Sequence, residues 1–285
     1  MTQISESTIL ATFDDLVSKG SIIYGPYETV NGDVDGYPMA FRICPSLTKK
    51  PHAVGAKLDP SFDKSEKWGP GSDMYLTDQR LRVAVLNGTH DLALNLFAID
   101  RPQFVLLTLD SYRRQHEPLD VDDFKAALEM VNELKDIYAI FNCSEAAGCS
   151  RVHKHMQGLR GPPTAFDSFT KGSSKIPFKS FAHHFTSGFS SVPASDILGV
   201  YQQFLEKTRK LLGKNEQEVC PHNVVLWRDW MIVVPRRQAA VEKASANAAG
   251  MLGSVWVPER SGVDVWLRLG CKSVLEQLGA PATKE

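Results

Sequence analysis

The chain has 285 residues, a formal net charge of -1, 43% hydrophobic and 23% charged residues, which suits one large soluble domain or two modest ones. The near-neutral balance excludes a global field that would draw nucleic acid or an anionic membrane, and no apolar run is long enough to span a bilayer. Five cysteines (Cys44, Cys143, Cys149, Cys220, Cys271) without a CxxC pair exclude a zinc ribbon or a disulfide framework.

Met1 to Leu10 mixes Ser, Thr, Gln and Glu and does not read as a secretory signal. With unpaired cysteines, this predicts a reduced compartment, the cytoplasm and also the nucleus. Thr8 to Lys19 carries Ile9, Leu10, Phe13, Leu16 and Val17 at helical spacing, with Gly20 as a stop. Residues 21 to 80 hold many Gly, Pro, Asp and Lys residues, including Asp59-Pro60 and Trp68-Gly69-Pro70-Gly71. They read as a long irregular excursion, mobile or substrate-facing. Leu81 to Phe97 reads as a hairpin about Asn87-Gly88. Phe104 to Leu109 is an apolar strand.

Asp120 or Asp122 opens a helix with Val121, Phe124, Leu128, Val131 and Leu134 as its core stripe. Ile137 to Phe141 is the next strand, followed by a loop of small and polar residues, Asn142 to Arg151. Then comes His153-Lys154-His155-Met156-Gln157. Residues 158 to 193 form a second loop-rich region containing His183-His184. Ser195 to Leu212 reads as a helix with Ile197, Tyr201, Phe204, Leu205, Leu211 and Leu212 inward. Asn223 to Trp227 and Met231 to Val234 form a strand pair turned by Arg228-Asp229. Gly262 to Leu278 reads as one final helix with Val263, Leu267, Cys271, Val274 and Leu278 on one face. The basic pairs Arg113-Arg114 and Arg236-Arg237 read as solvated loop charge. Mixed helix and strand signals with hairpin-joined strands predict an α+β fold with antiparallel pairing.

On a strand, alternation places His153, His155 and Gln157 on one face. His155 suits a nucleophile: neutral imidazole attacks phosphorus, and its N-phosphoryl product remains a good donor. One ring nitrogen must be free, so the other must be held as a donor by a backbone carbonyl or by His153. Gln157 can donate its amide to a non-bridging oxygen. Gly148, Ser150 and nearby backbone N–H groups can hold further phosphate oxygens, and Asn142 a ribose hydroxyl or another phosphate oxygen. His90 and His222 have no partner by spacing and read as structural. Metal binding by His153 and His155 would need a third ligand that the sequence does not announce. There is no Walker loop, GxGxxG or GxSxG.

These residues bring a resemblance into view. The HKHMQ core, the small-residue loop and an ordered series of anchors resemble the fungal-type ATP adenylyltransferases, or diadenosine tetraphosphate phosphorylases, of the histidine-triad superfamily, on the galactose-1-phosphate uridylyltransferase branch. The anchors are Phe41 to Pro51, Leu94 to Phe97 with Arg101 to Thr108, Phe141 to Gln157, Asn223 to Leu226 with Trp230 to Arg236, and Asn247 to Gly253. The resemblance implies a histidine-triad-like, mostly antiparallel sheet with flanking helices and long loop insertions. It implies one catalytic unit over 1–285, with a catalytic part at 1–190 and a part at 191–285 that completes the site.

It implies ping-pong transfer: His155 takes AMP from diadenosine tetraphosphate, and phosphate then takes it from the histidine, giving ATP and ADP. Catalytic roles fall on His155, His153 and Gln157. Substrate contacts fall on Lys50, Asn95, Asn142, Gly148, Cys149, Ser150, Arg151, Gln157, Asn247 and Ser254. A glutamine at position 157 implies a transferase, because it holds oxygen without acting as an acid. A divalent cation such as Mg2+ would serve as nucleotide counter-ion. The implied partners are adenine nucleotides and phosphate, with no nucleic acid or membrane, for a monomer or homodimer.

Two positions depart from the family pattern. Leu96 and Pro258 stand where lysines are usual, leaving Lys50, Lys57 or Arg151 to compensate. Related AMP-transferring or hydrolysing enzymes with another donor, and a low-turnover nucleotide-binding protein, are the alternatives.

Overall fold

The computed structural model describes residues 5–50 and 66–282. Lys57 and Asp59-Pro60 lie outside them. Helix α1 (Glu6–Ser18) is capped by Ser5, whose Oγ accepts from the Thr8 N–H, and it buries Ile9, Phe13 and Leu16. The described parts of the 21–80 excursion, residues 21–50 and 66–80, are more ordered than expected. It contains a hairpin, β1 (Glu28–Val34) with β2 (Tyr37–Ile43), turned by Asp35 and Gly36, both at positive φ. The signal was a turn dipeptide followed by Tyr37, Met39, Phe41 and Ile43, all buried on alternate positions. Strands β3 (Glu66–Lys67) and β4 (Tyr75–Leu76) then pair with each other.

Strands β5 (Arg82–Leu86) and β6 (His90–Leu94) form the expected hairpin, followed by β7 (Phe104–Thr108), α2 (Val121–Glu133), β8 (Ile137–Cys143) and β9 (His155–Arg160). Asp120 caps α2, and a reciprocal bond from the Asp120 N–H to Asp123 completes a capping box. After α3 (Phe166–Thr170) come β10 (Phe181–His184), α4 (Ala194–Leu212), β11 (His222–Trp227) and β12 (Trp230–Pro235). The chain ends with β13 (Ala240–Val241), β14 (Ala244–Ser245), α5 (Ala248–Met251), β15 (Ser254–Val257), α6 (Arg260–Leu269) and α7 (Cys271–Leu278).

Eight strands make one antiparallel sheet in the order β10-β12-β11-β8-β9-β7-β6-β5. The α+β expectation with antiparallel pairing is borne out. Strands from both halves of the chain interleave in that sheet. A second sheet, β1-β2-β15, packs across it. On one face Leu92, Leu106, Phe141, Met156 and Val224 meet α1, α2 and α4. On the other, Tyr138, Ile140, Leu159, Val225 and Ile232 meet β2 and the carboxy-terminal helices through Phe41, Trp266, Val274 and Leu278.

Several element readings need correction. His183 and His184 lie on strand β10, not in a loop, and the His184 ring stacks on Trp230 with centroids 4.7 Å apart. The final helix is two helices broken at Gly270. The break leaves Leu267 58% exposed, and Leu211 on α4 is also exposed. Arg236 is fully buried rather than solvated. Its guanidinium donates to the Leu278, Ala147, Gln238 and Ala246 carbonyls and to Asn223 Oδ1. These five bonds use all its N–H groups, which is what makes a buried guanidinium tolerable.

Candidate active site

Strand β9 runs between β7 and β8. Leu107 lies opposite His155, and Val105 and Ile140 lie opposite Gln157. Cross-strand partners share a face, so His155 and Gln157 point away from the α2 side. Lys154 and Met156 point toward it. Lys154 is buried there, with Nζ 2.6 Å from Asp123 Oδ2 on α2 and 2.8 Å from the Pro118 carbonyl. The other oxygen of Asp123 is 3.0 Å from His90 Nε2.

His155 is held on three sides. Its Nδ1 lies 2.8 Å from the His153 carbonyl. A carbonyl only accepts, so Nδ1 carries the proton and Nε2 keeps its lone pair. The His155 N–H donates to Gln115 Oε1 at 2.7 Å, and Gln115 Nε2 donates to the His155 and Asn142 carbonyls. Burial pushes the His155 pKa down to about 4, so the ring is neutral at pH 7.

The ring of His153 does something else. It is fully buried, with Nε2 donating to the Thr108 carbonyl at 2.9 Å and Nδ1 accepting from Ser72 Oγ at 2.8 Å. Of the two ways to fix the His155 tautomer, the geometry uses the His153 carbonyl, not its ring. His153 also falls outside the regular ladder, in an isolated bridge to Arg114.

A cleft opens over His155 and Gln157. Lys50, Asn95, Ser150 and Arg151 join them as its polar lining, and Trp68, Tyr75, Leu96 and Phe97 are among its apolar walls. Gln157 has a defined amide orientation. Gln103 Oε1 accepts from the Ile99 N–H, so Gln103 Nε2 donates to Gln157 Oε1 at 3.0 Å. That leaves the Gln157 N–H groups for an incoming oxygen. Asn95 Oδ1 accepts from the Phe97 N–H in the same way, leaving its amide nitrogen as donor. Two cations face this space. Burial, with Arg151 beside it, pushes the Lys50 pKa down to about 8; burial lowers that of Arg151, against the opposing charge of Asp73.

Other expected contact residues lie outside the cleft lining. Asn142 is 2% exposed, and its Oδ1 accepts from Asn223 Nδ2 and the Ala248 N–H, so it ties β8 to β11 and α5. Asn247 caps α5 through the Gly250 N–H. Ser254 Oγ bonds Thr164. Gly148 sits at φ +89° against the backbone of residues 246–247, where a Cβ would come within 2.7 Å of the Ala246 carbonyl. Its glycine serves loop packing. Burial raises the Cys149 thiol to about 12, which makes it a poor nucleophile. Of the two family departures, Leu96 lines the cleft and Pro258 does not. Sequence reasoning missed Gln115, Gln103, Ser72, Asp73 and Asp123 as site residues; the capping box of Asp123 announces only a helix start. Among the described residues no group of three His, Cys, Asp or Glu side chains could hold a metal ion.

Comparison with known proteins gives a consistent picture. Residues 21–181 match the profile of the Ap4A phosphorylase N-terminal domain, and residues 174–281 that of the ATP adenylyltransferase C-terminal domain. Protein APA1 of Saccharomyces cerevisiae is 25% identical over 199 residues; the match covers 59% of this chain and 61% of that protein, so it spans about three fifths of that relative's length. Diadenosine 5',5'''-P1,P4-tetraphosphate phosphorylase 2 of the same yeast is 23% identical over 77% of this chain and 76% of its own. The crystal structure of yeast Ap4A phosphorylase Apa2 in complex with AMP superposes with a TM-score of 0.77 at 19% identity, and that in complex with Ap4A with 0.76; each covers 98% of both chains. At that identity the likeness speaks for the fold.

Proposed function

We infer the reaction from one premise: the chain belongs to the Ap4A phosphorylase family, by the N-terminal domain match over residues 21–181. The reading is phosphorolysis of diadenosine tetraphosphate, giving ATP and ADP. The single observation that carries it is the state of His155, neutral at neutral pH, Nδ1 tied to the His153 carbonyl, Nε2 free beside a cleft with two cations. The yeast structures with AMP and Ap4A support adenine nucleotides as its ligands.

In the first step the Nε2 lone pair attacks the α-phosphorus. A P–N bond forms and the bond to the bridging oxygen breaks, so ATP leaves. A phosphate oxygen then attacks the same phosphorus, the P–N bond breaks, and ADP leaves. The Gln157 amide, aimed by Gln103, donates to a non-bridging oxygen where charge builds. Lys50 and Arg151 neutralise phosphate charge. Trp68, Tyr75 and Phe97 offer flat apolar surface to a base.

Among the described residues the cleft lining contains no carboxylate, and that set does not fit a protein-held Mg2+. A divalent ion would travel with the nucleotide phosphates as their counter-ion. The two halves, 1–190 and 191–285, act as one unit because they share the sheet. The described cysteines are all free, which supports a cytoplasmic setting, and among the described residues no helix is long and apolar enough to cross a membrane. Small nucleotides and phosphate are its partners, taken by a monomer or homodimer, with no role for nucleic acid or a membrane.

A second reading rests on Leu96. An apolar side chain in the cleft wall weakens the case for a long, fully charged polyphosphate and favours a shorter dinucleotide or an adenylyl sulfate-like donor. One experiment addresses both. The protein is incubated with α-labelled diadenosine tetraphosphate, shorter dinucleotides or ATP, and acid-labile label on protein is measured. Label is expected, and His155→Ala abolishes it. Binding without label for every donor would overturn the transferase reading, and the donor giving fastest label decides between the two substrates.

A further inference from the structure

We propose that Ser72 and Asp73 are positioning residues that couple the wall of the nucleotide cleft to the hydrogen bond holding the His155 ring. The inference rests on the reading of His155 as nucleophile. The His155 ring is oriented by the carbonyl of His153, and His153 lies before the first paired residue of β9. The β7–β9–β8 ladder therefore does not reach that carbonyl; the Lys154 N–H of the same peptide donates to the Arg113 carbonyl at 3.1 Å, in the isolated bridge to Arg114.

The segment Trp68 to Tyr75 supplies a second set of fixing groups, on the two N–H groups just before that carbonyl. The Asp73 carboxylate accepts from the Val152 N–H at 2.8 Å and from the His153 N–H at 3.0 Å, one oxygen each. It acts on the backbone of the strand entry as an N-cap acts on a helix. Ser72, 3% exposed, works on the ring. Its Oγ accepts from the Met74 N–H at 3.0 Å and donates to His153 Nδ1 at 2.8 Å. One hydrogen-bonded path thus runs from Met74 through Ser72 to the His153 ring, and the carbonyl of His153 meets His155.

The same segment forms part of the cleft. Trp68, Met74 and Tyr75 line it, with Trp68 closing the loop onto the Met74 and Tyr75 carbonyls. The loop is seated tightly. A Cβ on Gly71 would come within 2.6 Å of the Ser111 carbonyl, and the Gly71 N–H donates to Ser111 Oγ at 3.2 Å. A wall this firmly docked cannot move without disturbing Ser72 and Asp73, and a nucleotide that packs against it stabilises the reactive tautomer of His155 in the same act.

The test uses the full chain carrying ¹⁵N-labelled histidine, with Ser72→Ala, Ser72→Thr and Asp73→Asn. In the parent protein the His155 resonances are expected to show one tautomer, protonated at Nδ1. Ser72→Ala and Asp73→Asn should give a mixture of tautomers. They should also slow label uptake at saturating nucleotide by about tenfold or more, because a wrong tautomer presents no lone pair. Ser72→Thr, which keeps the hydroxyl, should restore the single tautomer. Should Ser72→Ala not fold, Asp73→Asn, close to the parent in size, carries the test. A single Nδ1–H tautomer in both variants, with changed affinity but an unchanged saturating rate, would reduce the segment to a wall and overturn the proposal. If the parent takes no label, the functional reading fails, and the tautomer comparison still decides this one.

Discussion

An imidazole presents one lone pair at a time, so the chemistry of His155 depends on what its other nitrogen touches. The alternation of His153, His155 and Gln157 was legible in the sequence, but the partner of each side chain was not. His155 finds a carbonyl two residues back, on a residue just outside the regular ladder. Gln157 finds Gln103, 54 positions earlier in the chain, and nothing near either residue announces that pairing. The pairing matters because it decides which end of the Gln157 amide meets the substrate. An imidazole there can carry a proton to a leaving group, and an amide cannot. Gln157→His is therefore expected to raise water-dependent cleavage relative to phosphate-dependent cleavage, measured as the ratio of AMP to ADP formed. An unchanged ratio would refute the acid-assistance argument. Asn142 shows the opposite lesson. Its place before the small-residue loop suggested a ligand contact, and the structure adds what the sequence did not show: its Oδ1 accepts from two protein groups, supplied by β11 and α5.

At the scale of elements, β9 carries the site on one face and its anchor on the other. Lys154 reaches under the sheet to Asp123 on α2, and both groups are buried. Removing one partner of a buried pair strands the other charge. Lys154→Ala is expected to lower unfolding free energy by about 3–5 kcal/mol in urea titration, while Lys154→Met combined with Asp123→Asn recovers most of that loss by removing both charges. A loss of a few tenths would show that Asp123 is satisfied by His90 and the α2 cap alone. Elements with strong local signals were readable: the capped α2, the Asn87-Gly88 hairpin, and the β11–β12 pair turned by Arg228 and Asp229, both at positive φ. The β1–β2 hairpin was obscured because its first strand is mostly exposed and polar, which hides the alternation of its partner. The last helix was read as one because helical periodicity carries across Gly270 in the sequence, whereas the chain turns there.

For the whole molecule, buried neutral histidines link stability to pH. Burial pushes the pKa of His155 and of His222 down to about 4, from an ordinary value of 6.5. His222 is locked between the Cys220 carbonyl and the Tyr201 hydroxyl, which itself accepts from the Leu119 N–H. The unfolded chain takes up protons at these two positions near pH 6.5 and the folded one only near pH 4, so unfolding is favoured as pH falls through that window. The loss approaches about 3 kcal/mol for each histidine once pH is below both values. Calorimetry across that range should show a falling Tm, and His222→Asn should flatten part of the fall. A Tm that does not change between pH 6.5 and 4 would mean the rings are solvated in the folded state.

The sequence by itself determined the strand, the face and the chemical type of His155 and Gln157, because alternation is a property of neighbouring residues and needs no other part of the chain. It also carried the family, through an ordered series of anchors. The tertiary structure decided which predicted contacts reach the cleft. Lys50, Asn95, Ser150 and Arg151 do, while Asn142 ties β8 to β11 and α5, Asn247 caps α5, and Ser254 bonds Thr164 in a loop. It also decided that Ser72, Asp73, Gln103 and Gln115 serve the site at all. The physical reason is that a hydrogen bond is fixed by position in space, and these partners approach β9 only after the sheet has brought together segments distant in the chain.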